Sequence, residues 1–551
     1  MSLSKWELIG LAALCGLALF GYFAYPTYPT YDSFYALLWG RDVLHLHLPD
    51  LRVYRGPTEH PLAIGFGFVC ALFGQAGARL MVLGSVVSFV AVVAGMYRLG
   101  KLCFGPVVGL VAALLVLSRF FVENLAAQGY LDITYVALIV WAIVFEVRQR
   151  RCGTPVFVLL AAAGLLRPEA WVLSGAYWLW CCWPNRGCRP NRGCERQRVS
   201  PGFGSESLPN RPRAGVGAGV GADGASGTSG YGNEHGGVRT RARTHANATG
   251  GMDNGTRLRY LGLALIAPVI WVAVDAIVTG DPLYSLHSTS ELAQELERTQ
   301  GLGSVLVSVW TFGVRIDKVP VLLGGLIGVP IAIWLAPRRV LVPLAALVLL
   351  AGVFVLEGAG GASVVDRYLM GASIVLLLFC AVTVGGWAML EPGSLLRRLW
   401  MAGAAVLVLY GGVTVANTLN LSNLRTTLAY HEDFHEGLAA ALNSPRVKAI
   451  LKRCPLVSLP DNKLIPDARW ILDSSGQNDI VARSQAHSDA ERGSKALEDR
   501  FKAGSVAVFP LGSAVFFEAI VDVGDDPRVE VPRAGYKRIY TSKYYAVYDN
   551  C

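Results

Sequence analysis

Long apolar runs alternate with short polar segments over the first 420 residues, and this pattern predicts helices that cross a membrane. A spanning helix needs roughly 20 apolar residues, and its cytoplasmic end collects Lys and Arg. No small-residue cleavage site follows the first run, so we expect it to remain as an anchor. About eleven spans are predicted, with the N-terminus inside and the C-terminus outside, at about residues 8–25, 80–97, 106–117, 133–147, 156–166, 170–183, 260–278, 319–336, 340–355, 369–390 and 399–419.

The apolar stretch at residues 61–97 is too long for one helix and is interrupted by polar residues. Two arrangements of helices fit this stretch. One is a pair of full spans, and the other is a short interfacial helix at about residues 62–73 followed by a single span. The second is favoured because it places Arg98 and Lys101 in the cytoplasm.

Three polar segments are too long to be simple turns. Residues 26–60 and 279–318 are predicted to be outer loops, and the second contains an amphipathic stretch near residues 290–299. Residues 184–257 are rich in Gly and Arg. A segment of this composition cannot bury enough apolar surface to fold alone, so it is predicted to be a disordered cytoplasmic loop.

Residues 421–551 form a second kind of sequence with no spanning run, and they are predicted to be a small extracytoplasmic α/β domain following the transmembrane domain of residues 1–420. We expect a helix at about residues 423–442. Short alternating stretches predict strands at about residues 455–458, 468–472, 505–509 and 538–547. Cys454 and Cys551 are the two cysteines of this region, and an extracytoplasmic location favours a disulfide between them.

The composition agrees with a membrane protein, because 53% of the 551 residues are hydrophobic and 16% are charged, with a mean hydropathy of +0.43. A soluble enzyme is thereby excluded. Most of the net charge of +9 comes from the Arg-rich loop, so nucleic-acid binding is not expected. The eleven cysteines form no CxxC pair, which argues against a metal site or a disulfide framework.

Ionisable residues gather at the predicted outer ends of the spans. Charges at membrane depth are costly and are kept mainly where they face a cavity or one another. The sequence therefore predicts a polar site at the outer interface. Its members are drawn from distant parts of the chain and include Asp32, Arg41, Asp42, Glu59, His60, Asp132, Arg167, Glu169, Asp275 and Arg367.

The stretch from Tyr31 to Leu62 resembles the first outer loop of the GT-C superfamily of membrane glycosyltransferases, which includes protein O-mannosyltransferases and lipid A aminoarabinose transferases. The shared features are an acidic residue after the first span, an aromatic residue a few positions later and a His-Pro motif opening the next helix. They correspond here to Asp32, Tyr35 and His60 with Pro61.

Further segments follow the order and spacing of that superfamily, which extends the resemblance over residues 6–390. They are FGQAGARL from Phe73, RLGKLCFG from Arg98, YLDITYVAL from Tyr130, GLLRPEAW from Gly164, TGDPLYS from Thr279 and DRYLM from Asp366. There are three departures. Ser33 replaces a second acidic residue, Leu62 replaces a second proline, and the Arg/Gly-rich loop is not a feature of the superfamily.

The resemblance implies transfer of a sugar from a polyprenyl-phosphate donor to an acceptor hydroxyl, with inversion. Asp32, with a raised pKa, is the predicted general base, and Asp132 is a second catalytic candidate that positions the base or the acceptor. Arg367 and then Arg167 are the predicted ligands of the donor phosphate. Candidate substrate-binding residues are Tyr35, Arg41, Asp42, Glu59 and His60.

Each role has a structural alternative. Asp32 could cap the helix that begins near Ser33. Arg367 could pair with Asp366 or reach the interface. Arg167 and Glu169 could form a structural ion pair, and Asp132 could simply begin a helix.

No cofactor is predicted. His45, His47 and His60 with Glu59 leave a divalent cation as an alternative, since some members of the superfamily use one, but His-x-His in a loop is weak evidence for a metal. The expected partners are the lipid bilayer, the lipid-linked donor and a glycan, lipid or protein acceptor. The expected location is the plasma membrane, with the active site outside. The alternative function is a transporter or flippase of a lipid-linked or anionic solute.

Overall fold

The computed structural model describes residues 4–183, 253–295, 301–361, 364–418, 421–474, 479–511, 532 and 534–551. Most of the Arg/Gly-rich segment, predicted as a disordered cytoplasmic loop at residues 184–257, lies outside the described residues. Its last residues, from Asn254 onward, already belong to a helix.

The first 418 residues are helical wherever they are described, apart from the segment at residues 45–60 and shorter connections. The helices are α1 (Lys5–Ala24), α2 (Tyr31–Leu44), α3 (Pro61–Ala71), α4 (Gly77–Phe104), α5 (Pro106–Leu117), α6 (Phe120–Ala127), α7 (Leu131–Arg148), α8 (Thr154–Gly164), α9 (Glu169–Cys182), α10 (Asn254–Thr279), α11 (Tyr284–Glu295), α12 (Leu302–Asp317), α13 (Val319–Leu335), α14 (Pro337–Ala359), α15 (Asp366–Gly385) and α16 (Leu395–Thr418).

Six helices in the described part of the chain are long and apolar enough to cross a membrane, namely α1, α4, α10, α14, α15 and α16. Two bent pairs raise the number to eight if each pair is one span: α5 with α6, bent by 60°, and α12 with α13, bent by 110°. The eleven predicted spans are not confirmed. The difference arises because α7 carries three charged residues, and α8 and α9, with 11 and 14 residues, are shorter than a full crossing needs.

The favoured solution for residues 61–97 matches the helices observed there. The short helix α3 begins with Pro61 at its first position, where a missing backbone N–H costs nothing, and one long helix, α4, follows it. Gly105 then has a φ of 100°, a left-handed conformation that favours glycine, and it lets the chain turn from α4 directly into α5.

Helix α15 forms the centre of the helical region. Most of its residues are buried, and it packs closely on α13, where Gly328 lies against the backbone carbonyl of Phe379. A side chain at position 328 would collide with that carbonyl. Because α15 is held on all sides, its first turn, Asp366 and Arg367, has a fixed position.

The C-terminal region forms a mixed five-stranded sheet with helices packed on it. Its helices are α17 (Leu421–Leu442), α18 (Pro445–Leu451), α19 (Ile465–Ile471), α20 (Arg483–Glu491) and α21 (Ala496–Ala503). The strands are β1 (Val457–Leu459), β2 (Ile480–Ala482), β3 (Val506–Pro510), β4 (Lys537–Thr541) and β5 (Tyr545–Asp549), in the order β2-β1-β3-β5-β4. Strand β1 pairs with β2 and β3 in parallel, and β5 pairs with β3 and β4 in antiparallel orientation.

Several predictions for this region are confirmed. Helix α17 and strands β1 and β3 lie where expected. The single strand predicted at residues 538–547 is instead two antiparallel strands, β4 and β5, joined by a turn. The disulfide between Cys454 and Cys551 is present. The strand predicted at residues 468–472 is wrong, because Ile465–Ile471 is a helix with Pro466 in its first turn and its inner face on the sheet.

Candidate active site

A cavity of about 880 Å³ lies between the helical region and helices of the C-terminal region. Its walls come from both regions. The helical region contributes charged and aromatic side chains that include Asp32, Asp132, Arg167 and Arg367, and the C-terminal region contributes residues such as His431 and Asp467. A pocket of this size accommodates a drug-sized ligand or a small saccharide.

Asp32 reaches the cavity from the first turn of α2. Thr30 occupies the N-cap position, so Asp32 lies inside the helix and does not cap it. The helix start is anchored by Ser33, which is fully buried and donates a hydrogen bond of 2.7 Å to the carbonyl of Gly129. The carboxylate of Asp32 therefore has a fixed position at the cavity wall.

Arg367 lies opposite Asp32 and contacts two carboxylates. Its Nη1 lies 2.7 Å from Asp32 Oδ2 and 4.0 Å from Asp132 Oδ2. The alternative partner Asp366 accepts only the backbone N–H of Arg367, at 2.8 Å, and its side chain pairs with Arg315 at 3.1 Å. The Nε of Arg367 is buried and has no hydrogen-bond partner within the described residues, so it remains able to donate to a ligand.

Arg167 continues this chain of charges. It donates to Asp132 and, at 2.9 Å, to Glu169. The ion pair between Arg167 and Glu169, which was the structural alternative for this arginine, is thus present. Arg167 forms a second ion pair with Asp132. Four of the predicted residues therefore form one connected set, in the order Asp32, Arg367, Asp132, Arg167, which we call the arginine cluster.

Aromatic rings support both guanidinium groups of the arginine cluster. Arg167 lies 4.4 Å from the ring centroid of Tyr368, and Arg367 lies 5.5 Å from that of Tyr130. A ring face attracts a cation and leaves the edges of the guanidinium plane open for hydrogen bonds. Each guanidinium group thus lies between carboxylate partners and aromatic rings.

The pKa expected for Asp32 is corrected. Burial raises the pKa of this carboxyl, but the adjacent Arg367 guanidinium lowers it by more, and the net pKa lies below the ordinary value. The sequence-based expectation of a raised pKa considered the low dielectric and not the cation. Asp32 is therefore ionised at neutral pH and ready to accept a proton.

A divalent cation does not fit this site. Each carboxylate of the arginine cluster already has an arginine within ion-pair distance, so little negative charge remains for a metal. The described residues contain no group of three or more His, Cys, Asp or Glu side chains that could hold a metal ion. We derive no step through a cation.

His60 also faces the cavity. Its ring packs edge-on against Trp271, with centroids 5.9 Å apart, and its Nδ1 is buried without a hydrogen-bond partner among the described residues. Burial and the charge of Arg167 lower the pKa of His60 to about 4. The imidazole is therefore neutral at physiological pH.

The other candidate substrate-binding residues are not brought to the cavity. Tyr35 is fully buried in α2, packed between Tyr31 and Trp39. Arg41 contacts the C-terminal region, where it pairs with Asp473 at 2.8 Å and lies over the ring of Trp470.

Asp42 and Glu59 also lie outside the cavity lining. Burial raises the pKa of Asp42 to about 6 beside Arg41. Glu59 lies behind the wall, hydrogen-bonded to Ser285. Tyr35 and Arg41 thus contact other parts of the chain, and Asp42 lies beside Arg41.

Some residues of the cavity were missed by the sequence analysis. Arg315 and Glu357 line it near the start of α15, and Lys463, Asn462 and His431 line it from the C-terminal region. Arg315 and Glu357 lie near the ends of predicted spans. Charged residues at such positions are often functional, so this signal could have added both residues to the predicted site. The C-terminal residues carried no such signal, because their position depends on how the two regions pack.

No protein-family model and no curated protein matches the sequence. Solved structures of an archaeal oligosaccharyltransferase, AglB from Archaeoglobus fulgidus, match its fold. The complex with an inhibitory peptide and a dolichol-phosphate has 11% identity and a TM-score of 0.45, over 99% of this chain and 74% of the other. The apo form has 12% identity and a TM-score of 0.46, over 100% and 75%.

A third structure of the same oligosaccharyltransferase, tethered to an acceptor peptide containing the NVT sequon, has 12% identity and a TM-score of 0.46 over 100% of this chain and 74% of the other. These neighbours are GT-C superfamily glycosyltransferases, the superfamily that the sequence resembles.

Proposed function

We propose that this protein is an integral membrane glycosyltransferase, which moves a sugar from a polyprenyl-phosphate donor to an acceptor hydroxyl at the outer face of the membrane, with inversion. The observation that carries the proposal is the arginine cluster on the cavity wall, where Asp32 and two aromatic-backed arginines lie together. A base beside a preformed anion site is what displacement of a phosphate leaving group needs.

The proposed reaction is a direct displacement. The acceptor oxygen attacks the anomeric carbon, the bond from that carbon to the lipid phosphate breaks, and its electron pair leaves with the phosphate. Asp32 takes the proton of the acceptor hydroxyl. Attack from the face opposite the leaving group inverts the anomeric centre, as the superfamily resemblance implies.

The arginines have separate tasks in this proposal. Arg367 has an unpartnered Nε and binds the phosphate as negative charge develops on it. Arg167 holds its position through Asp132 and Glu169 and adds a second positive charge. Asp132, which is 4% exposed, contacts both guanidinium groups and acts as a positioning residue.

The donor lipid and the acceptor are proposed to approach from different directions. The apolar helices supply the surface for a prenyl tail, and six of them are long enough to cross the bilayer within the described chain. The C-terminal region lines the opposite side of the cavity with Asn462, Lys463 and Asp467, and we assign it to the acceptor. We place the active site and this region outside the cytoplasm, in the plasma membrane.

A second candidate function, a lipid-linked solute transporter or flippase, is favoured by one observation. The two bent helix pairs meet at buried charges, where Arg119 donates to the carbonyl of Asp317 and Ser373 donates to the Asp317 carboxylate at 2.7 Å. Broken helices with charges at membrane depth are typical of transporters. These residues do not line the cavity.

The test uses membranes that contain the wild-type protein, supplied with a panel of labelled polyprenyl-phosphate sugars. Sugar transfer and movement of the donor across the bilayer are measured in parallel. Transfer that depends on Asp32 supports the proposal. Movement of donor without transfer from any member of the panel contradicts it and favours the transporter.

A further inference from the structure

One wall of the cavity is formed where two outer segments meet, residues 51–60 and residues 279–295. We call this contact the loop junction. Five polar contacts cross it: Arg52 with the Thr279 carbonyl, Arg55 with Glu295 at 3.1 Å, Thr58 with Thr289 at 2.8 Å, Tyr284 with the Leu51 carbonyl at 3.0 Å, and Ser285 with Glu59. Thr58, Ser285 and Thr289 also face the cavity, so the junction separates the cavity from its surroundings.

Two carboxyl groups meet at the centre of the loop junction. The Oγ of Ser285 lies 2.7 and 2.8 Å from the two carboxylate oxygens of Asp275, contacts Oε1 of Glu59, and accepts a hydrogen bond of 2.7 Å from Trp271. Glu59 and Asp275 are 1% and 2% exposed. Two buried carboxyl groups therefore share one hydroxyl.

The hydroxyl cannot satisfy both carboxyl groups if both are ionised. The Ser285 hydroxyl has one proton and can donate it to one carboxyl group. The other carboxyl group, which also contacts this hydroxyl, must therefore itself carry a proton. Neither carboxyl forms an ion pair with an Arg, Lys or His in the part of the chain that the structure describes. Like charges this close cannot both be ionised without strong repulsion.

We propose that Glu59 and Asp275 form a proton-sharing latch. The loop junction stays closed while the pair keeps one proton, and the junction opens when that proton is lost. Ser285 and Trp271 are the groups that the latch positions on the cavity wall. Opening admits substrate to the cavity, and this last role rests on the proposed function.

The charges around the latch place its transition in the alkaline range. Burial and the Asp275 carboxylate raise the pKa of Glu59 to about 8, whereas His60 is neutral because its pKa is lowered to about 4. The other charged or titratable groups on the two segments are Arg52, Tyr54, Arg55, Asp281, Tyr284, His287, Glu291 and Glu295, and Asp50 directly precedes the first segment. His287 and Asp281 form an exposed pair at 2.8 Å, which serves as a control.

The test measures how fast a cysteine at position 289 reacts with a neutral maleimide. Thr289→Cys is introduced into the full-length protein with either Glu59 or Glu59→Gln, and labelling is resolved by peptide mass. Gln keeps a hydrogen-bonding group but cannot ionise. The ratio of the two rates at each pH cancels the titration of the thiol itself, and no sugar donor is needed.

We expect a ratio near 1 at about pH 6.5 that rises to about fivefold at about pH 9, as Glu59 loses its proton. In an Asp275→Asn background this rise of the ratio should be absent. In a His287→Gln background it should be unchanged. A ratio that stays at 1 across this range contradicts the latch, and so does loss of the rise in His287→Gln. Failure of the glycosyltransferase proposal would leave this result untouched, because labelling reports only the junction.

Discussion

Asp32 and Glu59 lie within residues 26–60, and both are withdrawn from solvent beside one cavity, yet their neighbours differ. Asp32 faces the Arg367 guanidinium at 2.7 Å, and the net pKa of its carboxyl is lowered. Glu59 faces the carboxylate of Asp275, and its pKa is raised to about 8. Burial acts in the same direction on both, so the neighbour decides which carboxylate is ionised at neutral pH.

The difference assigns different tasks to the two walls. An ionised carboxylate beside arginines can accept a proton while the arginines hold an anion, which is the chemistry of group transfer. A carboxyl that keeps its proton donates a hydrogen bond and holds structure. Under the proposed function, the wall with Asp32 is the reactive wall, and the wall with Glu59 is the structural one.

The largest expected effect is on the reactive wall. Asp32→Asn removes the proton acceptor, and we expect transfer to fall by about 10²- to 10⁴-fold while donor binding is retained. The rate of labelled-sugar transfer at matched protein levels checks this. Asp489→Asn, at an exposed ion pair of the C-terminal region, is the matched control and should transfer normally.

The next effect concerns Arg367, since its fork both binds the phosphate and sets the pKa of Asp32. Arg367→Gln should weaken donor binding by about tenfold to a hundredfold. This follows because a hydrogen bond to a charged group contributes about 1.5–3 kcal/mol. The pKa of Asp32 should rise, so the acid limb of the pH profile should move to higher pH. An unchanged acid limb would show that Arg367 does not control this carboxyl.

On the structural wall, Glu59→Gln should make stability less dependent on pH. The raised pKa of Glu59 means that the folded state holds a proton that the unfolded state releases, so the contribution of Glu59 to stability is fully present below the ordinary pKa of a glutamate and is lost as the pH rises through about 8. Thermal melting in detergent should show a higher Tm for Glu59→Gln than for wild type at alkaline pH. The reverse order would contradict the assignment.

The smallest effect concerns a third acid of the cavity, Asp467, whose partner is His435 at 2.9 Å. Burial lowers the pKa of His435, but the Asp467 carboxylate raises it by more. The pair therefore stabilises the fold fully below the ordinary pKa of histidine, and this contribution is lost as the pH rises through the raised value. His435→Gln should lower the Tm by a few degrees (~2–4 °C) at acidic pH and by less at alkaline pH.

The apolar pattern was enough to predict most helices, because apolar helices and polar segments differ in composition. The count of eleven spans is not confirmed, since α8 and α9 resemble crossing helices in composition but not in length. Apolar runs of this length do not distinguish a full crossing from a short buried helix.

The site was predictable in part. The resemblance selected Asp32 and Arg367, which are 335 positions apart in the chain and in contact in the structure. Arg41 lies on the same helix as Asp32 but contacts Asp473, 432 positions away. A single sequence shows which residues are costly to bury but not which ones meet, so the partners that set the pKa of Asp32 and Glu59 emerge only from the packing.

The most direct test of the central claim measures donor binding and sugar transfer in one preparation of Asp32→Asn, with wild type beside it. Donor is loaded first, acceptor is then added, and one turnover is followed. We predict that the variant binds the donor as wild type does and fails to transfer the sugar. Transfer at the wild-type rate would show that Asp32 is not the base and would contradict the account of the reactive wall.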